Sequence, residues 1–256
     1  MHFKTLLFVP IFLGISKAAT LGTGSRIVNG TDAPQGKYPF QISLRIFGAH
    51  SCGGTILNAE YVLTAAYCVD RSAPESMTVV AGSVVLSEGT SHQVTEKIEH
   101  EEWNPYISTN DIAILRVTPA FDFSNPSIAP VFLPRQYEQT VAGDVATVIG
   151  WGIDSTGGTI QEVLKEVDLF VYCDEECFDI HGFRYNANNV CAGVPGGGKG
   201  ECNKDSGGPL IVNGTQIGIV AWFIEPCTIA PYPDVYTQVS SFVDWINSKI
   251  NAVNDD

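Results

Sequence analysis

The chain has 256 residues, 45% of them hydrophobic, and a formal charge of −14 at neutral pH. That length is ample for a packed core in one or two domains. So negative a chain repels phosphate backbones, which argues against nucleic acid as a partner.

Residues 1–18 have the character of a secretory signal. His2 and Lys4 precede an apolar run over residues 6–15, and Ser16 and Ala18 supply small side chains for a cleavage site. The run is too short to span a bilayer. We therefore expect a secreted, extracellular protein without a membrane anchor.

Short runs of β-branched and aromatic residues follow, separated by Gly, Pro, Asn and Ser. In chain order they are FQISLRI, YVLTAAY, MTVVAGSVVL, IAILRV, VATVIGW, EVDLFVY, PLIVNGTQIGIVAWF and PDVYTQV. Their spacing predicts an all-β sandwich or barrel. Residues 126–134 read as a connection between two halves. Apolar residues recur at helical spacing over 240–253, which predicts a C-terminal helix.

Seven cysteines stand at positions 52, 68, 173, 177, 191, 202 and 227. Secretion permits disulfides. Because seven is odd, at least one thiol is free or pairs outside the chain.

Several motifs occur together in a fixed order. They are RIVNG, CGGTILNAEYVLTAAYC, TNDIAIL, GWG, CAGV, DSGGPL and PDVYTQV. In these the chain resembles the chymotrypsin/trypsin family of serine peptidases, over residues 26 to about 250. Within that family it is similar to the group 3 mite allergens and to the inactivated serine protease paralogues of scabies mites.

The resemblance implies two antiparallel six-stranded barrels of chymotrypsin type with a C-terminal helix. After the signal peptide at 1–18, it places a short propeptide at 19–26 and a peptidase domain at 27–256. The first barrel is expected at about 27–132, the second at about 133–239 and the helix at about 240–253. A monomer is expected.

The resemblance assigns the nucleophile to Ser206 and the orienting carboxylate to Asp111. In the family, an imidazole immediately before Cys68 takes the serine proton. Tyr67 stands there. A phenol is protonated at neutral pH and is a poor base, so we expect Tyr67 to donate a hydrogen bond to Asp111 and fill the cleft. None of the histidines after the signal lies in a motif that reaches Ser206; they are His50, His92, His100 and His181.

By the same resemblance, backbone N–H groups of Ser206 and Lys204 form the oxyanion hole. Glycine is usual at position 204, because it permits backbone angles that other residues resist. Two outcomes stay open. The lysine rotates its peptide and removes a donor, or it keeps the shape of the hole.

The specificity pocket is expected to comprise Gly200, Ala221, Trp222, Phe223 and Asp234. Gly200 takes the floor position, where trypsin-like members carry aspartate. In one interpretation, Asp234 supplies a relocated charge that selects basic or polar residues. In the other, which we favour, Phe223 plugs the pocket and Asp234 crowds it from behind.

Activation in the family follows cleavage of a bond that matches Arg26–Ile27. The freed Ile27 amine would then pair with Asp205 inside the protein. A buried ion pair is favourable only when its partner is well placed.

Family spacing implies the disulfides Cys52–Cys68, Cys177–Cys191 and Cys202–Cys227. Cys173 remains: it stays free, links two chains or competes with Cys177. No histidine or cysteine cluster outside this scheme has metal-ligand spacing, so neither a metal nor another cofactor is expected.

Two sequons, at Asn29 and Asn213, predict N-glycosylation. Each is an Asn-Gly step, which also suits a tight turn.

The departures at positions 67, 204, 200 and 223 fall on functional positions, while the scaffold motifs remain. We therefore expect a catalytically inactive secreted homologue that acts by binding proteins. Resemblance to the inactivated mite paralogues implies interference with host complement. The alternatives are a secreted endopeptidase of low or altered activity, and a digestive or storage protein without a specific partner.

Overall fold

The computed structural model describes residues 27–251. The predicted signal peptide and propeptide, with Arg26, lie outside the described residues. Within that range no helix is long and apolar enough to cross a membrane.

Strands are the main regular secondary structure of the described chain. In order they are β1 (Thr31–Asp32), β2 (Gln41–Ile46), β3 (Ala49–Ile56), β4 (Tyr61–Thr64), β5 (Met77–Ala81), β6 (Thr90–Glu99), β7 (Ala113–Thr118), β8 (Val145–Gly150), β9 (Lys165–Val171), β10 (Asn189–Gly193), β11 (Pro209–Val212), β12 (Thr215–Trp222) and β13 (Asp234–Gln238). All of their pairings are antiparallel.

These strands form two closed barrels, which confirms the predicted fold class. The first runs β2-β3-β4-β7-β6-β5. The second runs β9-β10-β13-β12-β11-β8 and closes through β8 and β9. The short strand β1 pairs with β9, so the start of the described chain joins the second barrel. Closure removes exposed sheet edges from both barrels.

The described part of the chain also contains two α-helices, α1 (Asp174–His181) and α2 (Val243–Asn251). A short 3-10 turn at Val239–Ser241 precedes α2, so the predicted C-terminal helix begins as a tighter turn. Phe242 and Ile246 pack into the core of the first barrel. Helix α1 was not predicted; its first turn is acidic, which favours a helix N-terminus.

Two predicted strands are shorter than their sequence runs. YVLTAAY leaves β4 after Thr64 and turns into a 3-10 segment at Ala66–Cys68. MTVVAGSVVL ends as β5 at Ala81, because Gly82 takes a φ of +90° and breaks the extended backbone.

Glycines let the two barrels meet closely. The Gly53 N–H donates to the Ser206 carbonyl at 2.9 Å. A Cβ on Gly53 would lie 2.9 Å from the Gly208 Cα, closer than real Cβ atoms come. The CGGT and SGGP motifs therefore contact each other, and the contact fixes the position of the Ser206 loop.

Candidate active site

A cavity of about 280 Å³ lies at the junction of the barrels. Tyr67, from the turn after β4, and Lys204 and Ser206, from the loop before β11, line it. Asp111, just before β7, lies behind Tyr67. The fold thus brings together the three predicted triad positions, which are far apart in the chain.

Asp111 is only 1% exposed, and its Oδ1 accepts the backbone N–H of Tyr67 at 2.8 Å. The prediction that the Tyr67 hydroxyl donates to Asp111 is wrong. The donor is the Tyr67 backbone, and the Tyr67 side chain is 62% exposed at the cavity mouth. Burial raises the pKa of Asp111 to about 7, against the opposing hydrogen bonds from the Tyr67 and Ala66 backbones.

The Ser206 hydroxyl has no hydrogen-bond partner within residues 27–251, although its backbone carbonyl is held by Gly53. A serine nucleophile needs a base within hydrogen-bond reach of its Oγ. The hydroxyl is therefore positioned by the loop but not paired with a proton acceptor.

His50 lies beneath the same loop. Its Nε2 donates to the Lys204 carbonyl at 3.1 Å, so the neutral ring accepts from the Ser43 hydroxyl at Nδ1, 2.9 Å away. Burial lowers the pKa of His50 to about 4. Both ring nitrogens are thus engaged, and the ring is neutral at physiological pH.

The other three histidines within residues 27–251 make their contacts elsewhere. His92 contacts the Pro119 carbonyl at 2.6 Å, and His181 contacts the Pro233 carbonyl at 3.0 Å. The His100 ring packs against Trp245 and Phe242 near α2.

Lys204 adopts a φ of +80°, in the left-handed region that normally favours glycine. Its carbonyl is fixed by His50. Of the two outcomes for the oxyanion hole, this backbone geometry supports the one in which the lysine keeps the shape of the loop.

The pocket positions show where a relocated charge would lie. Gly200 has a φ of +153°, and a Cβ there would overlap Oδ2 of Asp234. The Asp234 carboxylate therefore occupies the space beside the floor glycine. Its Oδ2 accepts the Glu201 backbone N–H at 3.0 Å.

The sequence analysis did not identify Glu201 as a pocket residue, although its position between Gly200 and Cys202 indicated that it lies at the pocket. Glu201 is fully buried, and neither carboxyl oxygen has a partner among the described residues. The Trp222 Nε1 and the Tyr236 hydroxyl are also buried without partners there. Burial, followed by the charge of Asp234, raises the pKa of Glu201 well above its ordinary value. Burial likewise raises the pKa of Asp234. The pair is thus suited to hold a proton, or a cationic group in its place.

Trp222 ends β12 and pairs with Val235, the residue after Asp234. The Arg184 guanidinium lies 4.6 Å from its ring centroid, and the His181 ring meets it edge-on at 5.0 Å. Ala221 and Phe223 flank it and are partly exposed. The plug formed by Phe223 stays a prediction.

The pairing of Ile27 with Asp205 after cleavage stays a prediction, and in the uncleaved chain both residues are buried. Ile27 is fully buried in the core of the second barrel. Asp205 is buried and accepts N–H groups from Gly152 at 2.8 Å and Cys202 at 3.1 Å. Burial raises the pKa of Asp205 to about 7. No cation of residues 27–251 forms an ion pair with it.

The structure contains the disulfides Cys52–Cys68, Cys177–Cys191 and Cys202–Cys227, the three pairs that the resemblance implies. Cys173 is free and partly buried at the start of α1. Across residues 27–251, no group of three or more His, Cys, Asp or Glu side chains is placed to hold a metal ion.

Comparison with known proteins agrees with this geometry. The family model described as Trypsin matches residues 27–246. Trypsin-1 of Astacus astacus is 40% identical over 243 residues, covering 89% of this chain and 100% of the relative. Chymotrypsin-2 of Vespa crabro is 40% identical over 222 residues, covering 86% and 98%. Brachyurin of Leptuca pugilator is 35% identical over 226 residues, covering 87% and 98%.

Proposed function

Because the chain belongs to the trypsin family, we propose that it is a secreted member that acts by binding other proteins and has lost efficient peptide hydrolysis. The observation that carries the proposal is the Ser206 hydroxyl, which lacks a basic partner among the described residues. Without a base the hydroxyl remains an ordinary alcohol.

Tyr67 is proposed to stand in place of the catalytic base. It precedes Cys68, and its backbone N–H binds Asp111. His50 is a histidine close to the site, but its nitrogens are engaged by Ser43 and the Lys204 carbonyl. To act as a base, His50 would have to break both bonds and leave its buried position.

Secretion is part of the proposal. Three disulfides are typical of an oxidising compartment. The proposed partners are host defence proteins, complement among them, since the motifs resemble those of the inactivated scabies mite paralogues.

The test compares wild-type protein with a Ser206→Ala variant, both purified from culture medium. We expect both to inhibit the lysis of sensitised erythrocytes by serum to the same extent, because binding does not need the hydroxyl. Casein turnover should be at background for both. Casein turnover that disappears in the Ser206→Ala variant would overturn the proposal. If neither protein affects lysis, complement is not the partner, and a digestive or storage role is favoured instead.

A second candidate is a secreted endopeptidase of low activity. Lys204 keeps a glycine-type backbone angle and Asp111 stays oriented towards residue 67, so much of the catalytic scaffold stands. With Asp234 and Glu201 beside Gly200, such an enzyme would select basic side chains. Labelling of Ser206 by a fluorophosphonate probe at neutral pH would favour this candidate over the first.

A further inference from the structure

A hairpin turn connects β11 and β12 on the second barrel, away from the active-site cavity. Asn213 and Gly214 form it with φ angles of +48° and +82°. Positive φ at both central residues is the type I′ geometry that Asn-Gly favours. Both residues are exposed, so the turn presents the Asn213 side-chain amide to solvent.

The other sequon is placed differently. The Asn29 Nδ2 donates to the Gly198 carbonyl at 2.6 Å. Its neighbour Val28 forms a bridge with Gly200, and Ile27 is fully buried. A sugar on the Asn29 nitrogen would replace one of its two N–H donors and crowd the loop that this nitrogen contacts.

A groove of about 260 Å³ begins at the hairpin. Asn213 and Thr215, the first and third residues of the sequon, both line it. This volume is many times what a single water needs, so the groove has space for a sugar ring.

The lining of the groove matches a neutral sugar. Val141, Val212 and Ile217 offer an apolar surface for the C–H face of a pyranose ring. The Glu138 and Asp144 carboxylates can accept hydrogen bonds from sugar hydroxyls. Among residues 27–251, no lysine or arginine lines the groove, which disfavours an anionic ligand.

Part of this apolar surface now faces water. The Val141 side chain is 62% exposed. A sugar attached to the wall of the groove would cover that surface without the entropy loss of a free ligand, because tethering gives a high effective concentration.

We propose that Asn213 carries an N-linked glycan whose first N-acetylglucosamine packs into this groove, and that Asn29 stays unmodified. In the reaction, the Asn213 Nδ2 forms a bond to C1 of a polyprenyl-diphosphate-linked oligosaccharide. The bond from C1 to the diphosphate oxygen breaks, the diphosphate leaves with the electron pair, and Nδ2 loses a proton. The inference rests on the proposed secretion.

The first experiment measures occupancy in the full chain, expressed in insect cells and recovered from the medium. Recovery from the medium establishes the secretory route independently of the glycan. Peptide N-glycosidase should lower the mass of the wild-type protein by one glycan. Asn213→Gln and Thr215→Ala should lack that glycan, while the matched Thr215→Ser variant, which preserves the sequon, should keep it. A secreted wild-type protein without a glycan, or a glycan lost in Asn29→Gln, would overturn the proposal.

The second experiment tests packing of the first sugar. An endoglycosidase that leaves a single N-acetylglucosamine gives a trimmed protein, and peptide N-glycosidase gives a bare one. Amide hydrogen exchange over residues 139–144 should be at least about threefold slower in the trimmed protein, because a packed sugar opposes local opening. Equal exchange in the two forms would show that the sugar extends into solvent and would overturn the packing.

Discussion

Replacing Tyr67 by histidine should restore acylation of Ser206. The backbone N–H of residue 67 already binds the Asp111 carboxylate at 2.8 Å. An imidazole at this position would therefore start from an anchored backbone beside the buried carboxylate that orients it. Lys204 also holds the left-handed angle of the oxyanion loop.

The expected gain follows from the cost of losing a base. Loss of a triad member lowers the rate by on the order of 10⁴–10⁶. That range corresponds to about 5–8 kcal/mol of transition-state stabilisation. Because the pocket of this chain differs from the family pattern, we expect partial recovery, a rise of about 10³-fold, within the range for general base catalysis.

The assay is the rate of acylation by an activated nitrophenyl ester of an arginine derivative at pH 7.5, with protein that carries a free Ile27 amine. Tyr67→Phe is the matched control, since it removes only the hydroxyl and should remain as slow as wild type. Adding Ser206→Ala to Tyr67→His should abolish the gain.

Two results would refute the reasoning. One is wild-type acylation as fast as that of Tyr67→His and sensitive to Ser206→Ala. The other is an inactive Tyr67→His protein that unfolds at the wild-type temperature and stays inactive when Lys204→Gly is added. The first would mean that another group serves as the base, and the second that the missing base is not what limits catalysis.

Three further predictions concern stability. Burial raises the pKa of Asp111 and Asp205 to about 7 from ordinary values of 3.8, so the folded chain retains protons that the unfolded chain releases. Stability should therefore fall as pH rises from about 4 to 7; a melting temperature of the uncleaved chain that is higher at pH 8 than at pH 5 would contradict this. His50→Gln should lower the free energy of unfolding by about 1–3 kcal/mol in urea titrations, because buried hydrogen-bonding groups lose partners; an unchanged urea midpoint would argue against the two bonds of its ring. Gly200→Ala should cost about 1–3 kcal/mol through its left-handed angle and its overlap with Asp234, and calorimetry showing wild-type stability would contradict that placement.

Much of the fold followed from local sequence. Alternating apolar runs predicted the strands, and helical spacing predicted α2. The runs MTVVAGSVVL and YVLTAAY predict longer strands than the structure has. A positive φ at Gly82 ends the first strand and the turn at Ala66–Cys68 ends the second, and both features depend on contacts that the hydrophobic pattern does not show. Helix α1 is short and lacked a clear apolar period, so its acidic first turn was the only local indication.

Within the site, the motifs located Tyr67, Asp111 and Ser206, but not their contacts. The expected phenol bond was wrong, because the turn after β4 points the backbone N–H of Tyr67 at Asp111 and its ring towards solvent. The role of Glu201 was not predicted, because it depends on tertiary structure. Its carboxylate is buried without a hydrogen-bond partner among the described residues, and β13 places Asp234 beside it.

The sequence by itself determined which chemical groups the protein has: a serine at position 206, a carboxylate at 111 and no imidazole before Cys68. A side chain's identity fixes its chemistry wherever the chain places it. Only the tertiary structure decided the tautomer of His50, the backbone angle of Lys204 and the raised pKa of the buried acids. These properties depend on burial and on distances between residues far apart in the chain, and folding alone sets both.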